Sequence, residues 1–279
     1  MAFGQPRIEY KSNAQMRVMT QAGLVLSRAL DAVLAAAAPG ISTAELDAVF
    51  AGILKDAGAT SNFLGYHGFP ATVCTSVNEE VVHGIPSGRV LRAGDILSVD
   101  GGAIVDGWHS DSARTTIVGG PASEDPADRR LSDITEEAMW RGIAAVAQGK
   151  FVSDIGSAID DYVSSLPGGA LGILEDYVGH GIGSQMHMAP DVLNYRSNHR
   201  GPRLRPGLCL AIEPMLVRGN LETKVLDDDW TVITADGARA AHWEHSVAVH
   251  EAGIWVLSAD DGGAARLAPL GVVPVPVPH

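Results

Sequence analysis

Between Asn13 and about Ala38, apolar side chains recur at Met16, Met19, Leu24, Leu26, Leu30 and Leu34, near the 3.6-residue period of a helix. Pro39-Gly40 ends that run. A second helix is expected from Ser42, where Ser42 and Glu45 have capping-box spacing, to about Gly58. Two further helices are expected over 129–147 and 153–165. Strand-like runs, several rich in Val, Ile and Thr, cover 71–77, 95–105, 108–118, 208–217, 229–234 and 242–257. Strands and helices do not alternate one for one, which predicts an α+β fold with antiparallel hairpins rather than a parallel sheet. No internal repeat is visible. The last stretch, 259–279, contains DDGG and then VVPVPVPH, and is expected to be a loose, extended, non-helical tail beyond a domain spanning 1–258.

With 279 residues, 46% of them hydrophobic, the chain can bury a sizeable core as one large domain or two fused halves. Its net charge of -13 and the absence of a Lys/Arg run argue against direct nucleic-acid binding or a polybasic membrane patch. The opening residues MAFGQPRIEYK lack the apolar core of an export signal, and no stretch of about 18 apolar residues runs uninterrupted. A cytoplasmic protein with no membrane span is expected. Cys74 and Cys209, 135 positions apart in apolar surroundings, are expected to be buried thiols.

Chemistry enters with DILSVDGGAIVDGWHSDSARTTIVG, residues 95–119, where Asp100 and Asp111 interrupt apolar strand sequence. Asp106-Gly107 is a two-residue hairpin signal, since a type I′ turn needs positive φ at both central positions. If Val105 pairs with Trp108, then Gly102 faces Asp111. Asp100, two residues from Gly102, then projects to the same face, a diagonal cross-strand pair. Like charges held this close and poorly solvated repel unless one protonates or a cation sits between them. By itself, an aspartate on each side of a DG turn is more often a solvated face than a metal site.

Other candidates follow downstream: His180 and His187 in YVGHGIGSQMHMAP, Glu213 in LAIEPML, and Glu244 in AHWEHSVAV. An acid flanked by apolar residues needs a partner. Each taken singly could belong to a structural ion pair, and His180 alone could be a satisfied core histidine. Together, four carboxylates and one imidazole make a hard, oxygen-rich set suited to divalent first-row metals.

These segments, with LGYHGFPATVCTSVNEEVVHGIP before them, occur in an order and at separations that make the chain resemble the type 1 methionine aminopeptidases from about Tyr10 to Ser258. The resemblance implies the pita-bread fold, a pseudo-twofold pair of α/β halves with an antiparallel sheet lining a dinuclear metal site and helices behind it. It implies two divalent ions (Co, Mn, Fe or Zn) held by Asp100, Asp111, His180, Glu213 and Glu244, with Asp111 and Glu244 bridging. Hydroxide between the ions would attack the scissile carbonyl while Glu213 carries protons. His83, in VVHGIP, would contact the scissile amide and His187 the carbonyl oxygen. The methionine pocket would comprise Phe63, Tyr66, Phe69, Cys74, Met186 and Trp230, and His67 would be structural or stand behind the catalytic groups.

The implied activity is removal of N-terminal methionine from nascent chains, with a small second residue preferred, by a monomer in transient contact with the ribosome. Only about 26 residues separate His187 from Glu213, which fits type 1 rather than type 2 enzymes with their helical insertion there. The chain departs from the common pattern at Gly102, where a polar residue such as threonine is usual, at Phe69 for tyrosine, and at Met188-Ala189, where acidic residues follow the histidine. Two other readings are a proline-specific pita-bread hydrolase and a non-catalytic peptide-binding relative.

Overall fold

The computed structural model describes residues 7–167 and 171–279; residues 1–6, part of the stretch judged to lack an export signal, lie outside it. Four long helices form where the periodicity placed them: α1 (Asn13–Ala36), α2 (Thr43–Asp56), α3 (Pro126–Gln148) and α4 (Ser153–Ser164). On α1 the buried stripe runs through Met16, Met19, Leu26, Leu30 and Val33, while Leu24 faces solvent. Two residues advance a helix by about 200°, so Leu24 and Leu26 cannot share a face. By length and composition α1 could cross a membrane, but that stripe lies in the protein core.

The capping box at Ser42 forms as read. Ser42 Oγ accepts from the Glu45 backbone N–H, and the Glu45 carboxylate accepts from the Ser42 N–H at 2.8 Å. Ser42→Ala is expected to cost about 1 kcal/mol, seen as a lower urea midpoint with unchanged slope. The cap matters for the site because α2 carries Phe50, whose ring occupies the space beside Gly101.

Every strand pairing among the described residues is antiparallel. One sheet centres on the hairpin Ile96–Val105 and Trp108–Ile117, with Val73–Val77 and Thr60–Ser61 on its other edge. A five-stranded sheet runs Gly253–Val256, His245–His250, Cys209–Ile212, Gly179–Gly181, Met188–Val192. Helices α1 and α2 pack on the first sheet through Leu26, Leu30, Phe50 and Val99; α3 and α4 pack on the second through Met139, Ile143, Ile159 and Leu210. Each half thus buries one helix pair behind one sheet, which is how amphipathic helices and one-faced sheets cover each other's apolar surface.

Three sequence expectations need correction. The run 208–217 breaks at Glu213-Pro214 into Cys209–Ile212 and Met215–Val217, because proline cannot donate to a ladder. The run 242–257 breaks at Trp243-Glu244 and again at the turn before Gly253. The tail is neither loose nor wholly extended. Ala264–Leu267 is helical, with Gly263 at its N-cap, and the Asp261 carboxylate before it accepts from the Gly263 and Ala265 N–H groups at 2.8 Å. The helix formers AARL lie between the glycine and proline runs that suggested a tail. Beyond them Val272 and Val277 are buried, the Val275 N–H donates to Ile254 O, and Arg17 holds the Pro278 carbonyl. Both cysteines are buried free thiols, as expected.

Candidate metal centre

The Asp106-Gly107 turn has φ of +47° and +77°, and the register is the one the turn dictates: Val105 opposite Trp108, Gly102 opposite Asp111, Asp100 opposite Ala113. The two aspartates therefore share one face of the sheet. The glycines between them make room rather than flexibility. A Cβ on Gly101 would lie 2.6 Å from Phe50 Cζ, and one on Gly102 would collide with the Asn62 carboxamide. Asn62 fills the position where a side chain at 102 would stand, and its Nδ2 donates to Ser110 O at 3.2 Å.

The remaining acids come from breaks in the second sheet. Glu213 directly follows Cys209–Ile212, and Glu244 directly precedes His245–His250. The backbone of Glu244 pairs with Ala113 (Glu244 N–H to Ala113 O, 2.9 Å), and Ser246 Oγ both accepts from Asp111 N–H and donates to Asp111 O. These bonds stitch the sheets together and set Glu244 beside Asp111. His180 sits in the Gly179–Gly181 strand between Cys209–Ile212 and Met188–Val192.

Asp111, His180 and Glu244 each present a ligand atom, all within 4.8 Å of one another. Glu213 joins through Oε1, 3.3 Å from His180 Nε2, while Asp100 lies outside that tightest triad but lines the same cavity. His180 Nδ1 lies 3.0 Å from Gly181 O; a carbonyl only accepts, so Nδ1 carries the proton and the Nε2 lone pair is free for a cation. One buried oxygen each of Asp100, Asp111 and Glu244 has no hydrogen-bond partner. Buried, unpartnered carboxylate oxygens cost stability unless a cation takes them up, so the residues fit a divalent metal.

The electrostatics agree. Burial lifts the Asp100 carboxyl to about 7. Burial, then the charges of Asp100 and Glu213, raises Asp111 well above the carboxylate range; Glu244 is raised by burial and then by Asp111. Burial beside Asp100 raises Glu213. Burial, then His187, lowers His180 to about 3, keeping the imidazole neutral and able to ligate.

The cavity, about 90 Å³, is lined by all five of these groups together with His83, His187 and each of Phe63, Tyr66, Phe69, Cys74, Met186 and Trp230. Carboxylates and imidazoles occupy one side, and the aromatic cluster, with Phe69 and Trp230 edge-on at 5.1 Å, makes the other. His83 is held at φ +61°, a conformation costing a non-glycine residue about 1 to 3 kcal/mol, so its surroundings fix it at the cavity wall. His67 is exposed and lies outside the cavity lining. Sequence reasoning missed Val82, which lines the cavity, and His242, buried with both ring nitrogens unpartnered and Nε2 3.7 Å from Glu213. The spacing His242-x-Glu244 was the available signal for His242.

The sequence model of metallopeptidase family M24 matches residues 17–251. Over 259 residues the chain is 47% identical to methionine aminopeptidase 1 from Mycobacterium tuberculosis, covering 91% of this chain and 96% of that protein. Among solved structures it is similar to the methionine aminopeptidase of Thermotoga maritima, with a TM-score of 0.86 and 35% identity over 91% of this chain and 100% of that one. A prolidase from Pyrococcus furiosus, 20% identical with a TM-score of 0.69 over 90% of this chain and 65% of its own, shares the fold alone.

Proposed function

Because the chain belongs to metallopeptidase family M24, among the methionine aminopeptidases, and has their pita-bread fold, we propose that it removes N-terminal methionine from nascent proteins and peptides, preferring a small second residue. The observation that carries this reading is one cavity in which the acid and histidine cluster meets an apolar pocket of side-chain width.

Asp100, Asp111, His180, Glu213 and Glu244 would hold two divalent ions, drawn from Co, Mn, Fe and Zn. When bound, such ions acidify a water and act as Lewis acids toward the carbonyl. The protein's own groups do the rest. Phe63, Tyr66, Phe69, Cys74, Met186 and Trp230 take the methionine side chain, and its burial excludes water from the scissile bond. Glu213, whose pKa is raised by burial and by Asp100, takes the proton of the attacking water and passes it to the leaving amine. His187 donates to the carbonyl oxygen and His83 to the scissile amide. Burial, then His187, lowers His83 to about 4, so it acts as a neutral hydrogen-bond donor.

The substrates, newly made polypeptide N-termini, place the enzyme in the cytoplasm in transient contact with the ribosome, acting as a monomer. The test is incubation of metal-loaded protein with Met-Ala-Ser and with Xaa-Pro peptides. Free methionine from the first and no cleavage of the second are expected. Release of Xaa instead would make it a proline-specific hydrolase, and cleavage of neither would leave a peptide-binding protein.

A further inference from the structure

We propose that Tyr66 is a positioning residue for His187: its hydroxyl donates to His187 Nδ1 and so fixes the imidazole with its proton on Nε2, facing the cavity. This goes beyond a pocket-lining role for Tyr66 and rests on His187 being the donor to the substrate carbonyl.

Tyr66 Oη and His187 Nδ1 are 2.8 Å apart, with the rings edge-on at 5.3 Å, across 121 positions of sequence. Either atom could donate in isolation, so the surroundings decide. A phenol is a stronger acid than a neutral imidazole N–H and is the natural donor of the pair. Burial, then the charge of Asp111, raises the phenol pKa, so the hydroxyl keeps its proton. A neutral imidazole has a single N–H. With Nδ1 accepting, that N–H is at Nε2, on the opposite side of the ring.

Tyr66 is itself held by its backbone. Its N–H donates to Phe63 O and its carbonyl accepts from Phe69 N–H, both at 2.9 Å, in a short turn flanked by Gly65 and Gly68 at positive φ. The pair also stands between two spaces. Tyr66, Met186 and His187 line both the catalytic cavity and an adjoining cleft of about 230 Å³. A ring that rotated here would turn its donor from one space to the other, so anchoring Nδ1 matters for the geometry of the reaction.

Tyr66→Phe removes one oxygen and keeps the ring. In ¹⁵N-histidine spectra of the metal-free wild type, His187 Nδ1 should show the resonance of an unprotonated nitrogen accepting a hydrogen bond. In Y66F that resonance should move to the unbonded position or average between tautomers. With Met-Ala-Ser, Y66F should lower kcat about 10-fold and leave KM within about twofold. A protonated Nδ1 in the wild type, a resonance unchanged in Y66F, or a raised KM with intact kcat would each overturn the proposal. The spectra need neither metal nor substrate. A protein that shows the expected resonances yet cleaves no peptide would therefore support this assignment while refuting the peptidase reading.

Discussion

Replacing Asp111 by asparagine is expected to lower kcat/KM for a methionyl peptide by about 1000-fold or more, while raising the melting temperature of the metal-free protein. The first effect follows from position. Asp111 belongs to the tightest group of candidate ligand atoms, with His180 and Glu244. Its backbone N–H and carbonyl are both bonded to Ser246 Oγ, which fixes where its carboxylate stands. Loss of one carboxylate from a buried divalent-metal site weakens its hold on the metal, and about 1000-fold corresponds to about 4 kcal/mol of transition-state stabilisation. The second effect has the opposite sign for an electrostatic reason. Without metal, Asp111 is a buried acid facing Asp100 and Glu213 that must either ionise against them or hold a proton the unfolded chain would release; asparagine keeps its shape and avoids both costs. Steady-state kinetics and thermal melts in EDTA measure the two arms. Activity within tenfold of wild type would remove Asp111 from the centre.

The metal-free protein should lose stability as pH rises from about 6.5 to about 8, and saturating Mn should abolish that loss. In the unfolded chain, carboxylates are ionised above about pH 4 and histidines neutral above about pH 6.5. In the fold, burial lifts Asp100 to about 7, and burial followed by like charges raises Asp111, Glu213 and Glu244. Burial also lowers His180, His242 and His245 to about 3 and His83 to about 4. Below about pH 6.5 the two sets oppose each other, because the unfolded chain holds protons on histidines and the folded chain on carboxyls. Above it the histidines are neutral in both states and only the folded carboxyls keep extra protons. Stability then falls with pH, by about 1.4 kcal/mol per unit for each carboxyl still protonated in the fold. Divalent metal replaces those protons, so binding should release protons and flatten the slope. Melts across this range with EDTA or Mn give the answer; a metal-free midpoint that held level or rose would mean the cluster ionises without a cation.

Local chemistry alone settled several features. The Asp106-Gly107 turn fixed the hairpin register because only certain residues accept positive φ, and side-chain alternation then put Asp100 and Asp111 on one face. Ser42 and Glu45 marked a helix start through a bond three residues long. Apolar flanks singled out Glu213 and Glu244, and the GHG run His180, but the ligand roles of these three came from resemblance, since Gly179–Gly181 is too short a strand for any periodicity and Glu213 and Glu244 sit at strand breaks.

What the sequence determined by itself is therefore what depends on a few neighbouring dihedrals: the helices, the turn, and the shared face of the two aspartates. Only the tertiary structure decided that Ser246 clamps Asp111 from 135 positions away, that Asn62 fills the space Gly102 leaves, that Tyr66 reaches His187, and that the proline-rich end lies against the Gly253–Val256 strand. The Ser246 clamp and the Tyr66–His187 pair cross between two halves, each hiding an apolar sheet face behind its own helix pair. Burial gains depend on total area covered and leave no local pattern to read.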